Sequence, residues 1–173
     1  GKPANKNGLE GRDEATGRGV QYIIREFFRN EDLLKEVKLD NDLSTKTFIV
    51  QGLGNVGYHL SKFLTEDDNA KLIAIAEFNG GIYSDQGIDV EHAKKYFLKH
   101  KTFKNYPKAN FIKNSSLLLN RKCDILIPAA RENVITEKNA NQISANLIVE
   151  AANGPISYKA DQILNRKKIF IIP

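Results

Sequence analysis

The sequence offers little from which a disulfide or a metal site could be built. Its one cysteine, Cys123, lies in an apolar run and cannot form an internal disulfide, so we expect a reduced thiol in the core. The three histidines are scattered and form no group with the spacing of metal ligands. We therefore expect neither a disulfide framework nor a bound metal.

Long apolar segments are also missing. No run of about eighteen apolar residues exists that could cross a bilayer. The segment Gly1 to Val20 lacks the apolar centre of a secretory signal. Hydrophobic residues make up 41% of the chain and charged residues 27%, which is usual for a globular protein. A length of 173 residues is enough for one domain with its own core, and no internal repeat is present.

Positive charge is in excess but dispersed. The net charge is +5, and the pair Lys94–Lys95 and the run Arg166–Lys168 lie in segments whose pattern predicts solvated helix faces or turns. Carboxylates are interspersed among them, and aromatic residues do not alternate with basic ones as they do on single-strand-binding surfaces. We therefore expect neither a nucleic acid nor a membrane as a partner.

Short apolar runs alternate with amphipathic segments along the chain. Apolar residues at helical spacing predict one helix over residues 13–37. Further helices are predicted from the glycine run near Val56, over residues 89–100 and 115–119, and from about Thr136 and Ser157. Strands are predicted at 47–51, at 71–77 and in the runs CDILIP, NLIVEA and KIFII, whereas NGGIYSDQG is dense in turn signals.

The segment TFIVQGLGNVG, residues 47–57, places three glycines with the spacing G-x-G-x-x-G between a predicted strand and a predicted helix. This is the context in which that spacing binds a dinucleotide. Gly52 would permit the tight turn, Gly54 would let a pyrophosphate approach the backbone, and Gly57 would let helix and strand pack closely. The phosphates would then meet free N–H groups at the positive end of the helix from Asn55.

A carboxylate ends the next predicted strand. Glu77 lies about twenty residues after Gly57, where such a site places the acid that accepts hydrogen bonds from the adenosine ribose. The glycine spacing alone is a weak signal, because a tight turn without a ligand uses the same residues. Strand, helix and acid together favour a dinucleotide site. The expected fold class is α/β, a doubly wound Rossmann-type parallel sheet with helices on both faces.

Several blocks carry a resemblance to a known family. GKP, GR and ATGRGV precede QGLGNVG, and CDILIPAA and EAANGP follow it. Together they resemble the cofactor domain of glutamate dehydrogenases, and ATGRGV is the specific part, because the leucine and phenylalanine types usually lack that block. The resemblance covers residues 1–173 and implies a single dinucleotide-binding domain of a larger dehydrogenase. It also implies that residues 1–45 form a lead-in segment and a helix that face the interdomain cleft.

Individual residues match functional positions of the family. The resemblance implies that Arg12 lies near the substrate carboxylate, where a fixed cation suits an anion. It implies that Thr16 and Asn153 contact the nicotinamide carboxamide. The other implied cofactor contacts are Gln51, Gly52, Gly54, Asn55, Val56, Gly57, Glu77, Ala129 and Ala130. Ordinary alternatives remain: an exposed arginine and threonine at a helix start, a turn asparagine, and alanines that only pack.

The resemblance implies an oxidoreductase, an NAD(P)-dependent glutamate dehydrogenase that converts L-glutamate to 2-oxoglutarate and ammonia as the full-length protein. Hydride would pass from the substrate to the nicotinamide. Proton transfer would need a lysine and a carboxylate, which in the family belong to a separate substrate domain. None of the lysines here lies in a run that predicts a buried pocket. We therefore predict no catalytic residue in this chain, which should bind the cofactor without turnover.

Two other functions remain open at this point. A non-catalytic NAD-sensing regulatory module could use the same fold, although it would not need Arg12 and Thr16. The cofactor domain of another amino-acid dehydrogenase would differ in a substrate pocket that this chain does not contain. The implied partners are small molecules and, for the full-length protein, further copies of itself in a homo-oligomer, a hexamer by resemblance. The resemblance implies an intracellular enzyme, and the sequence does not distinguish cytoplasm from mitochondrion.

NAD is expected in preference to NADP, which remains possible. Glu77 would accept a hydrogen bond from a ribose 2′-hydroxyl but would repel a 2′-phosphate. Phe78, the next residue, offers no donor to offset that repulsion, and Lys71 begins the same strand rather than ending it.

Overall fold

A computed structural model describes residues 11–173. These residues form one mixed sheet of seven strands with helices packed against it. The lead-in residues 1–10 lie outside the described part. The strands are β1 (Thr47–Gln51), β2 (Lys71–Glu77), β3 (Gly80–Tyr83), β4 (Asn110–Ile112), β5 (Cys123–Pro128), β6 (Ala145–Val149) and β7 (Phe170–Ile172). Their order across the sheet is β4-β3-β2-β1-β5-β6-β7.

The sheet is parallel from β2 to β7 and antiparallel at one edge. β1 pairs in parallel with β2 and β5, β5 with β6, and β6 with β7. β3 pairs antiparallel with β2 and with β4. The predicted α/β class is confirmed, and the expected parallel sheet is corrected to a mixed one, because the chain turns straight back after β2 instead of crossing over through a helix.

Helices cover both faces of the sheet, as predicted. They are α1 (Arg12–Phe27), α2 (Glu31–Val37), α3 (Asn55–Glu66), α4 (Val90–His100), α5 (Ser116–Leu119) and α6 (Tyr158–Arg166). Alternate side chains of β1 point to opposite faces. Phe48 and Val50 join a core with buried residues of α1 to α4, whereas Ile49 joins a core with α5 and α6. Cys123 belongs to this second core and is free and buried, as predicted.

Two helices begin where their capping residues predict. The Asp89 side chain accepts a hydrogen bond from the His92 N–H at 2.9 Å at the start of α4. The Ser157 hydroxyl accepts one from the Ala160 N–H at 3.3 Å at the start of α6. Such side chains satisfy amide groups that the first helical turn leaves free.

The single helix predicted over residues 13–37 is wrong, because the chain breaks between α1 and α2. Asn30 adopts an extended conformation there, and its side-chain oxygen accepts hydrogen bonds from the amides of Asp32 and Leu33, both at 3.1 Å. This arrangement starts a new helix. Apolar spacing did not reveal the break, because Phe27, at the end of α1, and Leu34, in α2, are both buried in the same core.

Three other segments differ from the sequence-based expectation, and one of them is β4, a strand where none is predicted. The turn-rich NGGIYSDQG contains β3, in which a Cβ on Gly81 would lie 2.4 Å from the Ile75 carbonyl oxygen, so its glycine allows close strand packing. The helix predicted from Thr136 is reduced to a 3₁₀ turn at Ala140–Gln142. The Asn139 side chain accepts from the Thr136 N–H at 2.8 Å and donates to the Val134 carbonyl at 2.9 Å, which holds an irregular loop instead.

Candidate functional site

The glycine turn joins β1 to α3 at the carboxyl end of the parallel strands. Gly52 has φ +93°, a left-handed conformation that favours glycine, and its N–H donates to the Ala76 carbonyl at 2.8 Å. A Cβ on Gly57 would lie 2.0 Å from the Gly52 carbonyl oxygen, so the helix can approach the turn only without a side chain there. A Cβ on Gly54 would meet nothing within 4 Å.

The amino end of α3 is open toward this turn. Gly54 occupies the capping position and has no side chain to cap the helix, so no capping hydrogen bond to the first amides is present among the described residues. Asn55 is exposed at the first helical position. Free amides and the positive end of a twelve-residue helix form an environment that suits a phosphate group. The open space at Gly54 therefore fits the pyrophosphate that the sequence predicts there.

A hollow beside the turn brings together predicted residues from four segments of the chain. We call it the alanine hollow. Its predicted members are Thr16 from α1, Val56 from α3, Ala129 and Ala130 after β5, and Asn153 after β6.

Close packing and short hydrogen bonds hold the alanine hollow together. A Cβ on Gly17 would lie 2.8 Å from the Leu60 amide, so this glycine brings α1, and with it Thr16, close to α3. The Ala129 N–H donates to the Gln51 carbonyl at 2.8 Å, and the Ala151 N–H to the Pro128 carbonyl at 3.0 Å.

A second hollow lies on the other side of the loop that follows β5. We call it the glutamine hollow, because Gln51 forms part of its wall. Gln51 is 8% exposed, and its side-chain amide oxygen is buried without a hydrogen-bond partner in the described part of the chain. A buried acceptor of this kind is costly unless a ligand or water donates to it. The remaining lining residues are Ala76, Ser115, Ser116, Leu119, Arg131, Glu132, Asn133 and Val134.

Glu77 is anchored to the glycine turn. It ends β2, and its Oε1 accepts a hydrogen bond from the Leu53 N–H at 2.6 Å. This bond fixes the carboxylate next to the turn, at the end of the strand where the sequence places the acid for the adenosine ribose. Phe78 follows with 74% of its surface exposed.

Arg12 lines neither of the two hollows. It is the first residue of α1 and is exposed. Its implied contact with a substrate carboxylate stays a prediction.

Lys94 is a residue of this region that the sequence analysis missed. The interpretation of Lys94–Lys95 as a solvated pair holds for Lys95, which is exposed, and is wrong for Lys94. Lys94 is half-buried, and its Nζ donates to the Leu53 carbonyl at 2.6 Å. Burial lowers the pKa of Lys94, and the nearby Glu77 charge opposes that shift. The burial of Ala93 in the same turn of α4 shows why: this part of the helix packs inward.

Lys46, in a segment whose pattern does not predict a buried pocket, is also buried, with 5% of its surface exposed. Its Nζ donates to Asp40 Oδ1 at 2.7 Å. Lys46 directly precedes β1, whereas the hollows lie at the other end of that strand, so it has no place in the site.

Within residues 11–173, no cluster of three or more histidine, cysteine or acidic side chains could hold a metal ion. None of the helices in the same range is long and apolar enough to cross a membrane. Burial raises the pKa of the Cys123 thiol, which leaves it protonated and unreactive at neutral pH.

Comparison with known proteins gives consistent relatives. The chain is 47% identical over its whole length to the mitochondrial glutamate dehydrogenase of Dictyostelium discoideum, of which it covers 34%. It is 41% identical over its whole length to the NADP-specific glutamate dehydrogenase of Saccharolobus shibatae, of which it covers 38%. The crystal structure of the hetero-hexameric glutamate dehydrogenase of Thermus thermophilus superposes with a TM-score of 0.83 and 28% identity, and the match covers all of this chain and 38% of that one.

The chain thus spans little more than a third of the length of the curated relatives that it matches. The sequence profile of the Glutamate/Leucine/Phenylalanine/Valine dehydrogenase family matches residues 8–173. With the mixed α/β sheet and the glycine turn, this match establishes the assignment: the chain belongs to the Glutamate/Leucine/Phenylalanine/Valine dehydrogenase family.

Proposed function

We propose that this chain is the cofactor-binding domain of a glutamate dehydrogenase that catalyses the NAD(P)-dependent oxidative deamination of L-glutamate to 2-oxoglutarate and ammonia. The observation that carries the proposal is the alanine hollow, where Thr16, Val56, Ala129, Ala130 and Asn153 meet beside the glycine turn. Both curated relatives described above are named glutamate dehydrogenases, which favours glutamate over other amino acids as the substrate.

The residues present fit a dinucleotide. The open space at Gly54 and the free amides of α3 suit the pyrophosphate. Small side chains at Ala129 and Ala130 leave room for the nicotinamide half, and the polar side chains of Thr16 and Asn153 lie in the same hollow to bond its carboxamide. When bound, the nicotinamide accepts the hydride that leaves the substrate.

This chain supplies binding and orientation rather than proton transfer. Lys94 has a lowered pKa, but its ammonium is bound to the Leu53 carbonyl on the Glu77 side of the turn, away from the alanine hollow. Arg12 is the residue that we propose to meet the substrate carboxylate, from the start of α1. The other parts of the full-length protein would provide the rest of the substrate pocket. The full-length protein would assemble as a homo-oligomer inside the cell, in the cytoplasm or a mitochondrion.

The first prediction separates binding from turnover. This chain should bind NADH saturably, because the glycine turn and the two hollows are present within residues 11–173. It should not oxidise glutamate with NAD, because no lysine among those residues lines the alanine hollow beside Glu132. NADH fluorescence titration and an absorbance assay of NADH formation under the same conditions measure the two properties. Robust turnover by the chain alone would contradict this division of roles, and absence of NADH binding would contradict the cofactor site itself.

The second prediction concerns the choice of cofactor. Like charges about 4 Å apart repel by roughly 1 kcal/mol in water and about 4 kcal/mol near a protein surface, so Glu77 should favour NADH over NADPH by about ten- to a thousandfold. Glu77→Gln should narrow that gap, since glutamine keeps an oxygen that can accept from the Leu53 N–H but carries no charge. Dissociation constants for both cofactors measure the effect.

The matched control for Glu77→Gln is Glu66→Gln. Glu66 is exposed at the last position of α3, far from the glycine turn, so this variant removes one negative charge without touching the site. Its ratio of NADH to NADPH affinity should equal that of the wild type. Equal affinities for the two cofactors in the wild type, or an unchanged gap in Glu77→Gln, would show that Glu77 does not discriminate between them.

A further inference from the structure

The ammonium group of Lys94 is half-buried and has no carboxylate partner among residues 11–173. No ion pair in the described part of the chain includes it. Glu91, one turn earlier on α4, is the natural partner, but its Oε1 accepts instead from the Tyr58 hydroxyl at 2.5 Å and from Lys62 Nζ at 2.8 Å. Lys94 Nζ is left with the Leu53 carbonyl at 2.6 Å and the Tyr58 ring at 5.2 Å.

Lys94 and Glu77 both bond the backbone of Leu53, a residue of the glycine turn. Glu77 accepts from the Leu53 N–H, and Lys94 donates to the Leu53 carbonyl. The two charged groups are near enough for Glu77 to raise the pKa of Lys94 against the larger effect of burial. They lie on the β2 side of the turn, whereas the alanine hollow lies on the β5 side.

We propose that Lys94 is a specificity-determining residue that contacts the 2′-phosphate of NADP and offsets part of its repulsion by Glu77. The inference rests on the proposed dinucleotide function of this site. A half-buried ammonium with donors to spare gains most from a dianionic group, because that group restores the solvation that burial removed. The ribose hydroxyls of NAD carry no such charge, so Lys94 increases the affinity for NADP far more than the affinity for NAD.

The pyrophosphate is the other anionic group of NADP that Lys94 could contact. A contact with the pyrophosphate would change the affinities for NAD and NADP in a different way from a contact with the 2′-phosphate. Both NAD and NADP carry a pyrophosphate, so a cation that contacted the pyrophosphate would increase the affinity for both cofactors equally. A purely structural role, in which Lys94 only holds the Leu53 carbonyl in place, would likewise change both affinities together. The ratio of the two affinities therefore distinguishes recognition of the 2′-phosphate from these other roles.

The test is the ratio of NADPH to NADH dissociation constants in Lys94→Gln and Lys94→Arg. Lys94→Gln should weaken NADPH binding by about tenfold and NADH binding by less than about threefold, because one close charge contributes on the order of a factor of ten. Lys94→Arg keeps the charge and should retain most of the NADPH affinity. Lys95→Gln is the matched control, because Lys95 is the exposed neighbour on α4, and its ratio should equal that of the wild type.

The same comparison in the Glu77→Gln background covers the case in which the wild type binds NADPH too weakly to measure. Glu77→Gln should bind NADPH, and adding Lys94→Gln should remove most of that gain. An equal loss of NADH and NADPH affinity in Lys94→Gln, or no NADPH binding even in Glu77→Gln, would overturn the proposed role of Lys94. Either result would leave the proposed cofactor-binding function intact. Failure of the wild type to bind either cofactor would overturn the proposed function and this role with it.

Discussion

Gly54→Val is expected to weaken NADH binding by at least about a hundredfold, or about 2.7 kcal/mol, while the protein stays folded. The pyrophosphate must approach the backbone at this position, and the valine methyl groups would occupy its place. The fold should tolerate the change, because a Cβ there meets nothing within 4 Å and Gly54 has φ −70°, a value open to any residue.

The measurement pairs NADH titration with a thermal melt. Gly54→Val should lose about 1 kcal/mol of stability at most, since valine is a poor residue at a helix start. Gly19→Ala is the matched control: Gly19 is exposed on α1, its added Cβ also meets nothing within 4 Å, and it lies outside both hollows. A folded Gly54→Val variant that binds NADH with wild-type affinity would show that the pyrophosphate does not lie at this turn.

Gly57→Ala is expected to destabilise the fold by about 3 kcal/mol or more, although it adds one methyl group. That methyl would lie 2.0 Å from the Gly52 carbonyl oxygen and 3.2 Å from a methyl of Val50. The turn cannot simply move away, because the Gly52 N–H is bonded to the Ala76 carbonyl of the neighbouring strand. The helix would have to separate from β1, and the buried contacts between them would be lost.

Thermal unfolding measures this loss. For a protein of this size a loss of about 3 kcal/mol corresponds to a fall in Tm of roughly 10 °C. Gly19→Ala is again the control and should gain up to about 1 kcal/mol, because alanine favours a helix over glycine and its methyl has free space. A Tm for Gly57→Ala within about two degrees of the wild type would contradict the close packing of α3 on the turn.

Local sequence determined the elements whose signals are complete within a few residues. The apolar runs of β1, β2, β5 and β6 are long enough to predict buried strands, and Asp89 and Ser157 mark the starts of α4 and α6. The structure confirms the predicted roles of Gly52 and Gly57, because the φ of Gly52 and the close approach at Gly57 are requirements of the backbone itself, whereas the pyrophosphate contact at Gly54 stays a prediction. Most of the predicted cofactor contacts lie in or beside these elements.

Only the tertiary structure decided which distant residues meet and which faces are buried. The sequence did not predict the antiparallel β3, because its glycines are local turn signals, whereas in the fold Gly81 is required by the neighbouring Ile75 backbone and Gly80 by the Phe111 ring. The break at Asn30 was hidden because both helices face the same core. Lys94 could not be told from Lys95 by sequence, since their difference lies in which side of α4 packs against the glycine turn. Burial and charge compensation depend on neighbours that are far away in the chain, and spacing along the sequence does not contain them.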